Sequence, residues 1–297
     1  MKLNYSFLET FMEIIRCGTF EKASGKLHIT PSAVSQRIRA LEELMGQVLI
    51  IRGSPCKATR SGQELYRYAE KIELLENDFL LNQQELHREK AVIAVNADSV
   101  DGWFLSVIEA VYRDHGIILD VRVEDQDFSA SLLQSGEVMA AVSADPTLLQ
   151  GCKTEFLGTM RYKACASVEF YQRCFSRGVS AETLSLAPVM MFNHKDDLQN
   201  KFIRCFTRQE VSPPQQFVPS TYAYLQAIVR GLGWGMLPEH LSAPLLAEGR
   251  LVDLAEDCPV DTPLYWHRWS LTLRLLETLT RSVHAVARTE LHQNPPD

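Results

Sequence analysis

The sequence predicts a mainly α-helical head, a helical linker and an α/β body of two subdomains, and three observations carry that division. Apolar residues recur at steps of three and four between Tyr5 and Met45, the period of helices. Charge is segregated: residues 1–60 hold nine Lys/Arg against five Asp/Glu, a net +4, which leaves −11 for the rest of a chain whose total is −7. From about residue 91 short apolar runs alternate with helical patterns, which is how parallel strands with crossover helices read. The expected parts are residues 1–60, 61–88 and 89–297, the last dividing into a first subdomain of about 91–161 plus 266–290 and a second of about 162–265.

Phe7, Leu8, Phe11, Ile14 and Ile15 give the first helix, and Gly18 stops it. Thr19 caps a short second helix, Phe20 to Leu27, with Ala23 small enough for close contact. Thr30 and Pro31 open a third, because Thr accepts from orphan amides and Pro suits the first helical position. On it Val34, Ile38, Leu41 and Met45 form one stripe, and Ser32, Ser35, Gln36 and Arg39 lie off that stripe. Two helices about a short turn, the second offering hydroxyls, an amide and Arg near its start, suit reading of a DNA major groove. A plain three-helix bundle with a polar outer face gives the same pattern. The segment after the third helix favours the DNA reader. Val48 to Arg52 and Cys56 to Arg60 read as strands about a turn at Gly53, Ser54 and Pro55, and this wing carries Arg52, Lys57 and Arg60 to neutralise phosphates. A basic head on an acidic body fits a chain that grips phosphates at one end.

In the linker, Leu65, Tyr68, Ile72, Leu75 and Phe79 repeat at three-four-three-four, flanked by Glu70, Lys71, Glu73 and Glu76. The pattern fits a dimer seam or a single helix packed on a core, and two-fold DNA reading favours the dimer. Helical character fades over 82–90. In the body the expected strands include 91–97, 117–123, 138–143 and 264–269, with helices over 102–113, 128–134 and from Leu271 to about Arg288 and a frayed tail from His292.

The run through Phe7, Gly18, Thr19, Phe20, Ala23, Ala33, Ser35, Ile38, Leu41, Glu42, Gly46, Leu49, Arg52, Thr59 and Gly62 resembles the winged helix-turn-helix of LysR-type transcription regulators. The resemblance implies groove-facing positions at Thr30, Pro31, Ser32, Ser35, Gln36 and Arg37, with Arg52 on the wing. Gln36 stands where Arg is more usual in the family. It also implies a periplasmic-binding-protein-like effector domain. Ala94 to Ser99, Val123 to Asp125, Ser135 to Val138, Phe192 to Leu198 and Leu264 to Arg268 are similar to the branch that regulates export of arginine and lysine, from which the wing sequence Pro55 to Thr59 departs.

Two subdomains leave a cleft, the usual place for a small ligand. Asp98 and Ser99 lie between the first body strand and a helix, where free amides suit an α-carboxylate, or where Ser99 only caps the helix. Glu124 and Asp125 close the second strand, and Asp196 and Asp197 follow a strand of the second subdomain. Carboxylates on both sides would suit a cationic amino acid, lysine or arginine; each taken alone is also an ordinary helix-start residue in solvent. Thr221 and Tyr222 open a helix on the far side.

The expected partners are double-stranded DNA, that effector, further copies of the chain in a dimer or tetramer, and RNA polymerase; no cofactor or metal is expected. Seven scattered cysteines without a Cys-x-x-Cys pair read as reduced, mostly buried thiols, with a redox pair at Cys165 and Cys174 as the lesser alternative. No run approaches the roughly 20 apolar residues of a membrane span and no secretory signal opens the chain, so a cytoplasmic protein is expected. The glycines of 231–235 follow a helix and precede a strand, the reverse of a dinucleotide loop, and His267 reads as packed rather than catalytic. Two rivals stay open: a solute-binding or catalytic α/β protein whose N-terminal helices only oligomerise, and an architectural DNA binder without an effector.

Overall fold

The computed structural model describes residues 3–81, 89–123 and 132–294. In the head, α1 (Tyr5–Cys17), α2 (Phe20–Lys26) and α3 (Pro31–Met45) begin on capping side chains of Asn4, Thr19 and Thr30. Gly18 and Gly46 end α1 and α3 at positive φ, 74° and 67°, a conformation that costs glycine no Cβ clash. Val34, Ile38 and Leu41 are buried against Leu8, Phe11 and Ile14. The wing is a minimal antiparallel hairpin, β1 (Ile50–Ile51) and β2 (Lys57–Ala58). It is shorter than the sequence suggested because Gly53, Ser54 and Pro55 take up the intervening backbone as bends.

The linker α4 (Arg60–Leu81) begins against the wing. At Gly62 any Cβ would collide with the carbonyl of Leu49. Leu65 and Ala69 are buried in the head's own core, with Ile72 packed at its margin, whereas Tyr68 is 50% exposed and Leu75 46%. The apolar repeat therefore divides into a packed row and an open row, and the side chain of Phe79 lies outside the described residues.

The body is built on one continuous mixed sheet. Parallel β3 (Lys90–Val95), β4 (Ile118–Val123) and β5 (Ala140–Ser143) form one end, with α5 (Ala97–Val100) and α6 (Phe104–His115) in the crossover between β3 and β4. Two long antiparallel strands, β6 (Cys152–Ser167) and β11 (Val260–Trp269), run from there into the second subdomain. At that end β9 (Gly235–Pro238) and β10 (Leu251–Asp253) pair antiparallel with β6. A small parallel pair, β7 (Val189–Met191) and β8 (Gln215–Phe217), stands beside them. The second subdomain carries α7 (Val168–Cys174), α8 (Ala181–Leu186), α9 (Leu198–Ile203), α10 (Thr221–Val229) and α11 (Glu239–Ala247). The closing helix α12 (Arg274–Glu290) returns to the first subdomain, packing on α6.

Three expectations are corrected. The subdomains are not separate parallel sheets: β6 and β11 pass through both, and such long antiparallel partners cannot be read from alternation alone. The tail is not frayed through residue 294, since His292 exchanges backbone hydrogen bonds with Thr159 (2.7 and 3.1 Å) and Gln293 Nε2 donates to Leu157 O. The cysteines are not all free thiols: Cys205 and Cys258, 53 residues apart, form a disulfide with Cα atoms 6.5 Å apart, whereas Cys165 and Cys174 are unpaired. Of the helix expected over 128–134, residues 132–135 are helical and 128–131 lie outside the described residues.

Candidate DNA interface and effector cleft

The face of α3 opposite its buried stripe is open. Thr30, Pro31, Ser32 and Gln36 are exposed, and Ser35 is partly so. Thr30 Oγ1 accepts from Ala33 N at 3.2 Å, so its hydroxyl fixes the helix start. Arg37 is half-buried and donates from NH1 to Thr10 Oγ1 at 3.1 Å, which ties α3 to α1. Arg39, two positions beyond the expected set, is exposed on the same helix. Arg52 is exposed on the wing with its guanidinium 5.4 Å from the Phe20 ring centroid, a cation–π contact that links the wing to α2. Glu42 Oε1 accepts from Leu49 N (2.9 Å) and Ile50 N (3.3 Å), so α3 sets the position of the wing. Sequence spacing did not single out Glu42 for this. Within α1, burial opposes the charge on Glu13, but Lys26 Nζ at 2.9 Å, the Cys17 thiol and the Arg16 charge together outweigh it and hold the carboxyl below its usual value.

The cleft between the subdomains has a volume of about 860 Å³. Asp98 and Val123 line it from the first subdomain, Tyr162 and Thr262 from the strands that cross, and Asp196, Asp197, Lys201, Thr221 and Tyr224 from the second. Tyr162 donates to Asp98 Oδ2 at 2.8 Å. Burial pushes the Asp98 carboxyl up to about 6, the Tyr162 hydrogen bond works against that, and the charge of Asp196 across the cleft adds to it. The two carboxylates thus face one space from opposite walls.

Asp196 is braced within its own loop: Oδ2 accepts from Phe192 N (3.1 Å) and Gln199 Nε2 (2.9 Å), and Oδ1 from Leu198 N (3.2 Å). Asp197 accepts from Asn200 Nδ2 at 2.9 Å. The Tyr224 hydroxyl donates to Met190 O and accepts from Gln199 Nε2 and Met236 N, each at 3.1 Å, which locks α10 to β7 and β9.

Two of the expected cleft residues stand elsewhere. Ser99 is fully buried inside α5 and outside the cleft lining, and the cap position of the following helix, α6, is Trp103 rather than Ser99. Tyr222 is 75% exposed and points away, because the inward face of α10 carries Tyr224, Ala227 and Ile228. Helical spacing does not decide between the two, because Tyr222, Leu225 and Val229 form an apolar row as regular as that of Tyr224, and packing on β7 and β9 selects Tyr224. Tyr162 and Thr262 had no local signal, since each reaches the cleft only through the pairing of β6 with β11. Glu124 and Asp125 lie outside the described residues. His267 is buried, with Nδ1 3.0 Å from Thr154 Oγ1, and burial lowers its pKa. Among the described residues no group of His, Cys, Asp or Glu is arranged to hold a metal ion, and no helix is long and apolar enough to cross a membrane.

Both halves of the chain match known families. Residues 6–63 match the bacterial regulatory helix-turn-helix protein, lysR family, and residues 84–288 match the LysR substrate binding domain. The chain is 41% identical over 283 residues to the HTH-type transcriptional regulator LysG of Mycobacterium tuberculosis, covering 94% of this chain and 92% of that one. It is similar to the crystal structure of ArgP from Mycobacterium tuberculosis, with a TM-score of 0.91 at 40% identity over 99% of this chain and all of that chain. It is also similar to full-length LysG from Corynebacterium glutamicum with bound effector Arg, with a TM-score of 0.80 at 39% identity over 98% of this chain and all of that chain.

Proposed function

The chain belongs to the LysR family of DNA-binding transcription regulators, a family of regulators rather than enzymes, and from that premise we propose that lysine or arginine, held in its cleft, controls its grip on the operator of a basic amino-acid exporter gene. The observation that carries the effector class is Asp98, a carboxylate enclosed by the cleft, hydrogen-bonded by Tyr162 and facing the charge of Asp196. Two carboxylates in one partly desolvated space repel each other until a cation enters, and charge-assisted hydrogen bonds are the stronger kind. The named effector of the Corynebacterium glutamicum relative, arginine, is a cation of this sort.

On the DNA side, Thr30, Pro31, Ser32, Ser35 and Gln36 present the groove-reading face, Arg37 braces it, and Arg52 meets phosphate. A two-fold operator needs two heads, and the open row of α4, with Tyr68 and Leu75, suits a second copy of the chain. The effector acts by favouring one cleft geometry over another, which shifts the population of head orientations.

Isothermal titration of the full chain with lysine, arginine and glutamine tests the effector class. Lysine or arginine should bind at micromolar to millimolar concentration and change affinity for genomic fragments recovered with the protein. Binding of an unrelated metabolite, with neither basic amino acid bound, would overturn it.

A further inference from the structure

The linker helix is held from two sides. Towards the head, Arg16 NH2 lies 2.6 Å from Glu73 Oε2, and Arg16 Nε donates to the Tyr66 hydroxyl at 3.3 Å. Towards the body, Arg67 NH1 donates to the carbonyl of Gln134, and Lys71 Nζ stands 5.6 Å from the Trp269 ring centroid. Gly136 lies directly against this contact. Its φ is +82°, and a Cβ there would come within 2.6 Å of Arg67 Cγ and 3.1 Å of Glu70 Oε2. Residues 133–136 therefore form a seat shaped to the linker.

The seat is not isolated from the cleft. Trp269 of β11 donates from Nε1 to Leu133 O at 3.3 Å, which supports the seat from below. Glu137 joins it to β4 through Arg122 NH1 at 2.9 Å, and Ser135 Oγ is 3.1 Å from Glu137 Oε1. The residue after Arg122 is Val123, a cleft-lining residue. Beyond the seat the chain enters β5, and Ala144 just past that strand also lines the cleft. Glu70 is enclosed at the same junction, where burial pushes its carboxyl up to about 7.

We propose that Arg67, seated on residues 133–136, is the positioning residue through which the effector cleft sets the orientation of the DNA-reading head. Occupation of the cleft bears on β4 and on the end of β5. These carry the seat, the seat carries Arg67, and α4 is continuous with the core of the head. Arg67 touches neither the cleft nor the face of α3, so its effect is on coupling rather than on either affinity alone. The proposal rests on the effector reading above for its cleft half, while the seat itself is independent of which ligand binds.

The test uses the full chain as R67A and R67K. Hydrogen exchange without any ligand reads the seat: R67A should speed exchange of the 133–137 amides at least about fivefold at unchanged global stability. Operator affinity is then measured with and without lysine or arginine, and the effector Kd by titration. Coupling between sites commonly amounts to about 5–150-fold in affinity. R67A should bring that ratio towards one while the effector Kd stays within about twofold, and R67K should recover only part of it, because an ammonium lacks the planar fork. A ratio in R67A equal to the parent's would overturn the role in coupling, and unchanged exchange would overturn the seat. If the parent binds neither basic amino acid, the effector reading fails, and the exchange comparison still decides the seat.

Discussion

The DNA-reading head and the effector cleft differ in how far apart in sequence their proposed site residues lie. In the head, Thr30, Ser32, Ser35 and Gln36 share one short stretch of one helix, and the hydrogen bond that sets its start spans three residues. In the cleft, the Asp98–Tyr162 hydrogen bond spans 64 residues, and Thr262 arrives from a third segment. A locally coded face can be altered with little effect on the rest of the chain. A cleft assembled by strand pairing changes with every element that positions it.

The largest break expected of this comparison is in the head. The double variant Gln36→Ala, Arg52→Ala should lose roughly 100-fold in operator affinity, since a bidentate base contact is worth about 1–3 kcal/mol and a phosphate contact adds a salt-dependent share. Its salt slope should fall by about 0.9 for each head bound, about 1.8 on a two-fold operator, and its effector Kd should not move. Fluorescence anisotropy at several salt concentrations, beside titration, reads both. An equal loss of effector binding would deny that head and cleft are separable.

A smaller effect is expected from pH on the cleft. With Asp98 at about 6 in the empty cleft, a cationic effector prefers the ionised form and lowers that value on binding, so protons are released when it binds below about pH 6. Affinity should be steady from about pH 7 to 8 and weaken roughly tenfold by about pH 5. Titration in buffers of different ionisation enthalpy counts the protons, and a tighter complex at about pH 5 would contradict the assignment.

The smallest effect is on stability at the junction. Burial, with the charges of Glu73 and Glu137, raises Glu70 to about 7 although Tyr66 and Arg16 oppose it. A carboxyl whose folded value lies above its unfolded one, about 4.3, contributes stability below that lower value and loses it as pH rises towards 7. Glu70→Gln should therefore raise the melting temperature by a few degrees at about pH 8, from roughly 1–2 kcal/mol after allowance for solvent screening, and by almost nothing at about pH 5. Calorimetry at both values checks the sign.

Much of the fold was legible in sequence where the physics is local. The caps Thr19 and Thr30, the stop at Gly18 and the stripe Val34, Ile38 and Leu41 all have the predicted structural roles. The division into a helical head, a linker and an α/β body is also as predicted. What the sequence did not disclose is long-range: that β6 and β11 run through both subdomains, that Tyr162 meets Asp98, and that His292 pairs with Thr159. The exchange of Tyr222 for Tyr224 belongs with these, because α10 is apolar on both faces and only its packing on β7 and β9 turns Tyr224 inward.

The most direct test of the central claim compares the parent chain with Asp98→Asn in isothermal titrations of lysine, arginine and glutamine. The account predicts that the parent binds lysine or arginine at least tenfold more tightly than glutamine. It predicts that Asp98→Asn loses roughly 10–100-fold for the cation, the worth of a charge-assisted hydrogen bond at about 1.5–3 kcal/mol, with operator affinity in the absence of effector unchanged. Equal binding of the basic amino acid by parent and variant would contradict it.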